Sequence, residues 1–256
     1  MLLCLFSYRS GGRNLESTII LIILFTGIIA LIGTMLGAFL GVVMKKPSRK
    51  FLGNTIGFAS GLMLSIVVFE LIPEATDKTG FLRTLFFLVL GIVIVVIIDR
   101  IGSLSQNVNS EYTKVAFMVA IGIMLHNFPE GLIMGFGFVN GESLGLKMSV
   151  IIAIHDIPEG LAVAAPLMLT GAKSRKILFY AFLTALPTAI GAWMGIHIGS
   201  ISMEILGNAL AFASGVMLYV IYGEMVPQSK KLWSGTTSTL GILLGIILGL
   251  IMTNAI

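Results

Sequence analysis

Apolar runs alternate with short polar breaks along the whole chain, and eight of these runs are each about the 20 residues that a helix needs to cross a bilayer. They fall at residues 18–43, 53–73, 81–98, 115–138, 145–170, 177–198, 206–226 and 235–254. The breaks are too short to hold a soluble domain, so the chain reads as an all-α membrane protein with one transmembrane domain over residues 1–256. An N-terminal tail at 1–17, expected outside the cell, precedes the first run, and a loop at 99–114, expected on the cytoplasmic side, separates the third from the fourth. Leu2 to Phe6 is too short for the apolar core of a signal peptide.

The pattern repeats. Phe58-Ala59-Ser60-Gly61-Leu62-Met63-Leu64 matches Phe212-Ala213-Ser214-Gly215-Val216-Met217-Leu218 at an offset of 154, and the match continues to Glu70 against Glu224 and Pro73 against Pro227. The same shift carries the first span onto the sixth and the third onto the eighth. Mates separated by five spans run in opposite directions across a membrane, which predicts inverted three-helix repeats around a central pair, a 3+2+3 arrangement typical of secondary transporters.

Composition agrees with this architecture: 57% of residues are hydrophobic and 11% charged, with a mean hydropathy of +1.03. The net charge of +4 does not signal a nucleic-acid partner, because the basic residues sit in the breaks. Assigning the breaks alternately to the two sides places eleven Lys and Arg on one side and five on the other. The positive-inside rule makes the richer side cytoplasmic, in a multi-pass plasma (inner) membrane protein with both termini outside. The lone Cys4 allows neither an internal disulfide nor a thiolate cluster, so metal chemistry must rest on His, Asp, Glu and Asn.

The central pair carries such residues. His126-Asn127-Phe128-Pro129-Glu130-Gly131-Leu132 on the fourth span parallels His155-Asp156-Ile157-Pro158-Glu159-Gly160-Leu161 on the fifth. Helical spacing brings His126, Asn127 and Glu130 broadly to one face, and His155, Asp156 and Glu159 likewise. Pro129 and Pro158 crowd the carbonyls of Leu125 and Ile154, which predicts a kink at each window, and Gly131 and Gly160 predict close approach of the two backbones. A carboxylate at mid-membrane costs roughly 2.5 to 3.5 kcal/mol on insertion scales. Three of them with no Lys or Arg in either window call for protons or for one or two divalent cations. Imidazole with carboxylate suits zinc and its first-row neighbours, and the Asn and Asp oxygens also suit iron or manganese. Buried histidines and protonated glutamates holding a bundle together would explain one such window, but two matched windows favour ligands.

The paired windows, on consecutive spans of a 3+2+3 chain, resemble the ZIP family of zinc and iron transporters in its bacterial form, from about residue 18 to the end. The resemblance implies a binuclear site. His126, Glu130, His155 and Glu159 would hold the first ion, and Asn127 and Asp156, sharing Glu130 and Glu159, the second. It also implies uptake of zinc into the cytoplasm, with cadmium, iron, manganese and cobalt as further cargo, and a four-helix transport unit moving against a scaffold within a homodimer. No cofactor is implied beyond the transported ion.

Two departures stand out. Many bacterial relatives carry an Ala-Glu-Pro glutamate on the sixth span where this chain reads Leu186-Pro187-Thr188-Ala189, so the second position is expected to be weakened or absent. The loop from Asp99 to Lys114 has no histidine, so histidine-based cytoplasmic regulation is not expected.

Glu70 and Glu224 sit near opposite mouths of the expected pathway, where they suit either cation capture and release or simple hydration at a helix end. Ser60, Met63, Ser214 and Met217 read as packing, His197 as an interfacial residue and Asp99-Arg100 as an interfacial anchor. The glycine ridges Gly33, Gly37, Gly41 and Gly241, Gly245, Gly249 predict close packing within the subunit or across a dimer. A membrane-embedded metal-dependent hydrolase is the alternative function. Against it, His-Glu-x-x-His is absent and every candidate acid is spoken for as a ligand, leaving no general base.

Overall fold

The computed structural model describes residues 12–44, 48–104, 111–140 and 142–255, and every element among them is helical. They are α1 (Gly12–Met44), α2 (Arg49–Thr79), α3 (Phe81–Leu104), α4 (Glu111–Asn140), α5 (Glu142–Leu169), α6 (Ser174–Ile201), α7 (Met203–Leu232) and α8 (Thr236–Ala255). Six of them, α1, α2, α3, α6, α7 and α8, are long and apolar enough to cross a membrane. The side chains of His126 and His155, although their backbones lie in α4 and α5, fall outside the described residues.

Local chemistry sets several helix ends. Ser48 accepts from the Phe51 N–H at 3.1 Å to cap α2, and Ser202, 154 residues later, accepts from the Ile205 N–H at 3.4 Å to cap α7. Gly80 (φ 79°) and Gly171 (φ 73°) turn the chain after α2 and α5 through the left-handed region that a Cβ disfavours.

Both α2 and α7 slip register midway, which the sequence pattern did not suggest. Val67–Leu71 and Val220–Met225 are π-turns, closed by Ile72 N–H donating to the Val67 carbonyl and Val226 N–H to that of Ile221. In each case the next residue is a proline, Pro73 or Pro227. A proline supplies no N–H and crowds the carbonyl four residues back, and widening the preceding turn to an i→i+5 bond relieves both problems without breaking the helix. Glu70 and Glu224 stand on these widened turns.

The helices pack as two sets. In one, α4 lies along α6, α5 along α1, and α4 and α5 against each other; in the other, α2 lies along α8, α3 along α7, and α2 and α7 touch near both ends. Backbones meet at glycine. A Cβ on Gly61 would land on the Ile242 carbonyl and one on Gly215 on the Leu88 carbonyl, while Gly245 abuts the Phe58 carbonyl and Gly91 that of Phe212. Each contact recurs after a shift of 154. Both glycine ridges pack within the chain, Gly33, Gly37 and Gly41 on α5 and Gly241, Gly245 and Gly249 on α2. Among the described glycines, every such approach to another helix stays within one set.

Burial grades from centre to rim. In α2 and α7, 61% of the most apolar stretch is buried, against 17% in α3 and 28% in α8. The rim carries Leu24, Ile28 and Ile32 on α1, Phe86, Val89 and Val93 on α3, and Leu243, Leu244 and Ile247 on α8, all exposed. Continuous apolar faces of this kind belong against lipid.

Because Gly61 and Gly215 meet backbone rather than movable side chains, Gly61→Ala and Gly215→Ala should each destabilise the fold by about 1–3 kcal/mol or more. Thermal unfolding of the detergent-solubilised protein checks this; native melting temperatures for both variants would mean that the helices separate without cost.

Candidate metal centre

Glu130 of α4 and Asp156 and Glu159 of α5 converge, each offering a carboxylate oxygen within 4.8 Å of the other two, and each about 1% exposed. Ligand oxygens arranged tetrahedrally around one zinc ion at 2.0–2.2 Å are separated by roughly 3.3–3.6 Å, so the three would have to draw in by up to about 1 Å or more to share a single cation. Left ionised without one, each pair repels by roughly 3 kcal/mol at an effective dielectric of 20. Each of these residues also interacts with another group of the protein, while much of the surrounding interior is apolar.

The backbone around this cluster is held from outside. Gly131 and Gly160 do not bring α4 and α5 together as the sequence suggests: a Cβ on Gly131 would strike the Thr188 carbonyl of α6, and one on Gly160 the Thr34 carbonyl of α1. The glycine faces are used against flanking helices, and the acidic faces are what α4 and α5 turn toward each other. Gly33 also presses α1 onto Asp156, whose Cβ would lie 2.8 Å from an added Cβ. Both helices run unbroken through Pro129 and Pro158.

Asn127 is 1% exposed and donates its Nδ2 to the Thr184 carbonyl of α6 at 2.7 Å. That bond orients the amide and leaves Oδ1 as a buried acceptor with no hydrogen-bond partner among the described residues. Thr188, fully buried, has its Oγ1 in the same condition. Buried polar atoms in this state are rare and mark places where water or an ion completes the shell. Thr184 and the orientation it imposes on Asn127 were not singled out from sequence, since no motif links residues 57 positions apart.

The other described candidates are not among the three converging carboxylates. Glu70 and Glu224 are half-buried on their π-turns, Glu70 lining a cavity between α2 and α4. Ser60 and Ser214 donate to their own helices, at Gly57 and Leu210, and Met63 and Met217 are fully buried core. His197 is exposed, with Nδ1 2.8 Å from the Trp193 carbonyl. Asp99 accepts from the Tyr219 hydroxyl at 2.8 Å, tying α3 to α7.

Comparison with known proteins adds a family. The profile described as ZIP Zinc transporter matches residues 102–253. Proteins named Zinc transporter ZupT from Salmonella paratyphi A (strain ATCC 9150 / SARB42), Salmonella newport (strain SL254) and Salmonella schwarzengrund (strain CVM19633) are each 30% identical over 234 residues, covering 85% of this chain and 90% of theirs.

If the three carboxylates share a cation, Glu130→Gln should raise the melting temperature of the metal-free protein by relieving repulsion and remove the stabilisation that added cadmium or zinc gives the native chain. That stabilisation is about 2.7 kcal/mol at a hundredfold excess over Kd. Scanning fluorimetry with and without metal reads both, and an undiminished metal shift in the variant would take Glu130 out of the centre.

Proposed function

The chain belongs to the ZIP family of zinc transporters, and from that premise we propose that it carries zinc into the cytoplasm through the site on α4 and α5. It is a multi-pass membrane protein that transports divalent metal ions, and the family is one of transporters, not enzymes, so the hydrolase reading is set aside. The observation that carries the proposal is the buried convergence of Glu130, Asp156 and Glu159. His126 and His155 complete the first ion position, and Asn127 and Asp156, with shared Glu130 and Glu159, the second. Cadmium, iron, manganese and cobalt are further cargo of the same donor set.

In this reading α4 and α5 also span the membrane, giving eight transmembrane helices as inverted repeats of α1–α3 and α6–α8 around the central pair. The recurrence of caps, π-turns and glycine contacts at a shift of 154 supports it. The termini and the Glu74 end of α2 are outside, and Glu224 faces the cytoplasmic end. The set α1, α4, α5, α6 is the transport unit and α2, α3, α7, α8 the scaffold, a division favoured by the confinement of backbone-close contacts to each set. A homodimer in the plasma (inner) membrane completes the assembly.

Charge decides how many ions are held. Three carboxylates offset three of the four charges on two divalent ions but exceed the charge of one, so a single tightly held ion is the comfortable state, with Thr188 supplying a neutral oxygen where relatives have a carboxylate.

In proteoliposomes loaded with a metal-sensitive dye, Glu130→Ala or Glu159→Ala should cut zinc uptake by more than about tenfold while leaving expression and elution volume native; folded variants that transport normally would defeat the assignment. Initial rates measured at matched pH on both sides should fall from about pH 7 to pH 5, as protons compete for imidazole and carboxylate lone pairs. Acceleration in acid would instead indicate proton coupling. Thr188→Glu should raise the count of tightly bound ions per subunit and slow turnover. Two tight ions in the native chain, unchanged by the substitution, would mean that position 188 does not govern the second site.

A further inference from the structure

A cavity of about 40 Å³ lies between α2 and α4, lined by Glu70 and Glu74 of α2, Ile133 and Phe136 of α4, and Met148 of α5. It has room for about three water-sized particles, enough for a partly hydrated ion. Its rim is held by a cation belonging to the protein. Lys78 sits one turn beyond Glu74, with Nζ 2.8 Å from Glu74 Oε1. Most lysines at helix ends extend into solvent, but the Lys78 side chain is only 14% exposed. Its Cβ packs over Gly207 of α7, Nζ lies 4.0 Å from Met203 Sδ, and the ammonium stands 5.0 Å over the ring of Phe136, a residue itself 2% exposed. One side chain thus ties α2 and α7 to α4 at the cavity mouth while neutralising one of its two carboxylates.

Among the described residues, the positions related by the repeat carry no such pair. A shift of 154 takes Glu74 to Gln228 and Lys78 to Leu232, and Leu232 packs with Leu52 of α2 and Leu161 of α5 in an apolar cluster. The Glu74–Lys78 pair is therefore not repeated at the positions that the shift of 154 relates to it.

We propose that Lys78 is the affinity-setting residue of the outer mouth: its ammonium holds Glu74 in place of cargo, and an arriving divalent cation displaces it from the carboxylate. The proposal rests on the transport reading and on the Glu74 end facing outside. A doubly charged ion competes for Glu74 against one tethered single charge, and once displaced the ammonium no longer joins Glu74 to Phe136, so capture loosens the contact between α2 and α4. Entry is thereby set by exchange of one cation for another at a mouth that is otherwise closed.

Zinc uptake into proteoliposomes as a function of concentration tests the competition. Lys78→Met should lower the half-saturating concentration by about two- to fivefold, the scale of a partly exposed ion pair, with a maximal rate of the native order. Lys78→Arg should behave as native, and Glu74→Gln should raise half-saturation in both the native and the Lys78→Met backgrounds. An unchanged or raised half-saturation in a folded Lys78→Met variant would overturn the proposal. Displacement is read separately on the native chain in detergent by acylating lysines with a water-soluble amine-reactive ester and quantifying the Lys78 peptide by mass spectrometry. Zinc or cadmium should increase its labelling, and Glu74→Gln should label fully without metal; labelling indifferent to metal overturns displacement even if Lys78→Met misfolds. Failure of the native chain to take up any divalent ion would defeat the transport reading instead, leaving the labelling result to judge Lys78 by itself.

Discussion

Three carboxyl groups converge within 4.8 Å inside an apolar bundle, and wherever they are ionised together the surrounding structure must keep the helices that carry them from separating. The clamps are backbone contacts. Gly131 seats on the Thr188 carbonyl and Gly160 on the Thr34 carbonyl, so α4 and α5 are each locked from behind by α6 and α1. Side-chain repacking cannot absorb the repulsion, because what opposes it is main chain against main chain. In the proposed function, a cation between the carboxylates would convert repulsion into attraction, and its departure would restore it.

The same device recurs where α2 meets α8 and α3 meets α7, and none of the glycine contacts described crosses between the two sets of helices. Side-chain contacts between the sets include Lys78 on Phe136 at one end and Leu232 and Leu52 on Leu161 at the other. Glycine-on-carbonyl contacts have one geometry and tolerate no sliding, whereas interdigitated side chains allow shear by rotamer changes. The division of rigidity thus follows the division of labour proposed for transport unit and scaffold, and it comes from where glycines were placed rather than from how much surface is buried.

Much of this was legible in the sequence because it depends on local spacing. Long apolar runs marked the membrane helices, and acids four residues or fewer from their neighbours on apolar spans marked the cluster of Glu130, Asp156 and Glu159. Contacts between distant helices were not legible. Gly131 and Gly160 announce a close approach but not the partner, and the partner is a flanking helix in each case. The π-turns were missed because the expected spans stop at residues 73 and 226, whereas the register slip before Pro73 and Pro227 lets each helix continue for another turn or two. Glu74 and Lys78 have the spacing of any solvated helical pair, and only the ring of Phe136 and the backbone of Gly207 make them different.

Where the two halves differ, one change of side chain propagates. Asn127 and Asp156 hold corresponding places in the two central windows, but only the amide has protons to donate. Asn127 therefore takes the Thr184 carbonyl on α6, which already serves its own helix. The Thr188 hydroxyl, four residues on, loses the acceptor it would ordinarily use and is left without a partner. On the other side Asp156 has no proton to offer when ionised. There Thr34, the counterpart of Thr188, keeps its bond to the Ala30 carbonyl at 3.2 Å. A single Asn-for-Asp difference thus exposes two neutral oxygens on the α6 side of the cluster and none on the α1 side. The backbone contacts around it are identical in kind because they cannot vary, and the asymmetry of the site is carried wholly by side chains, which can.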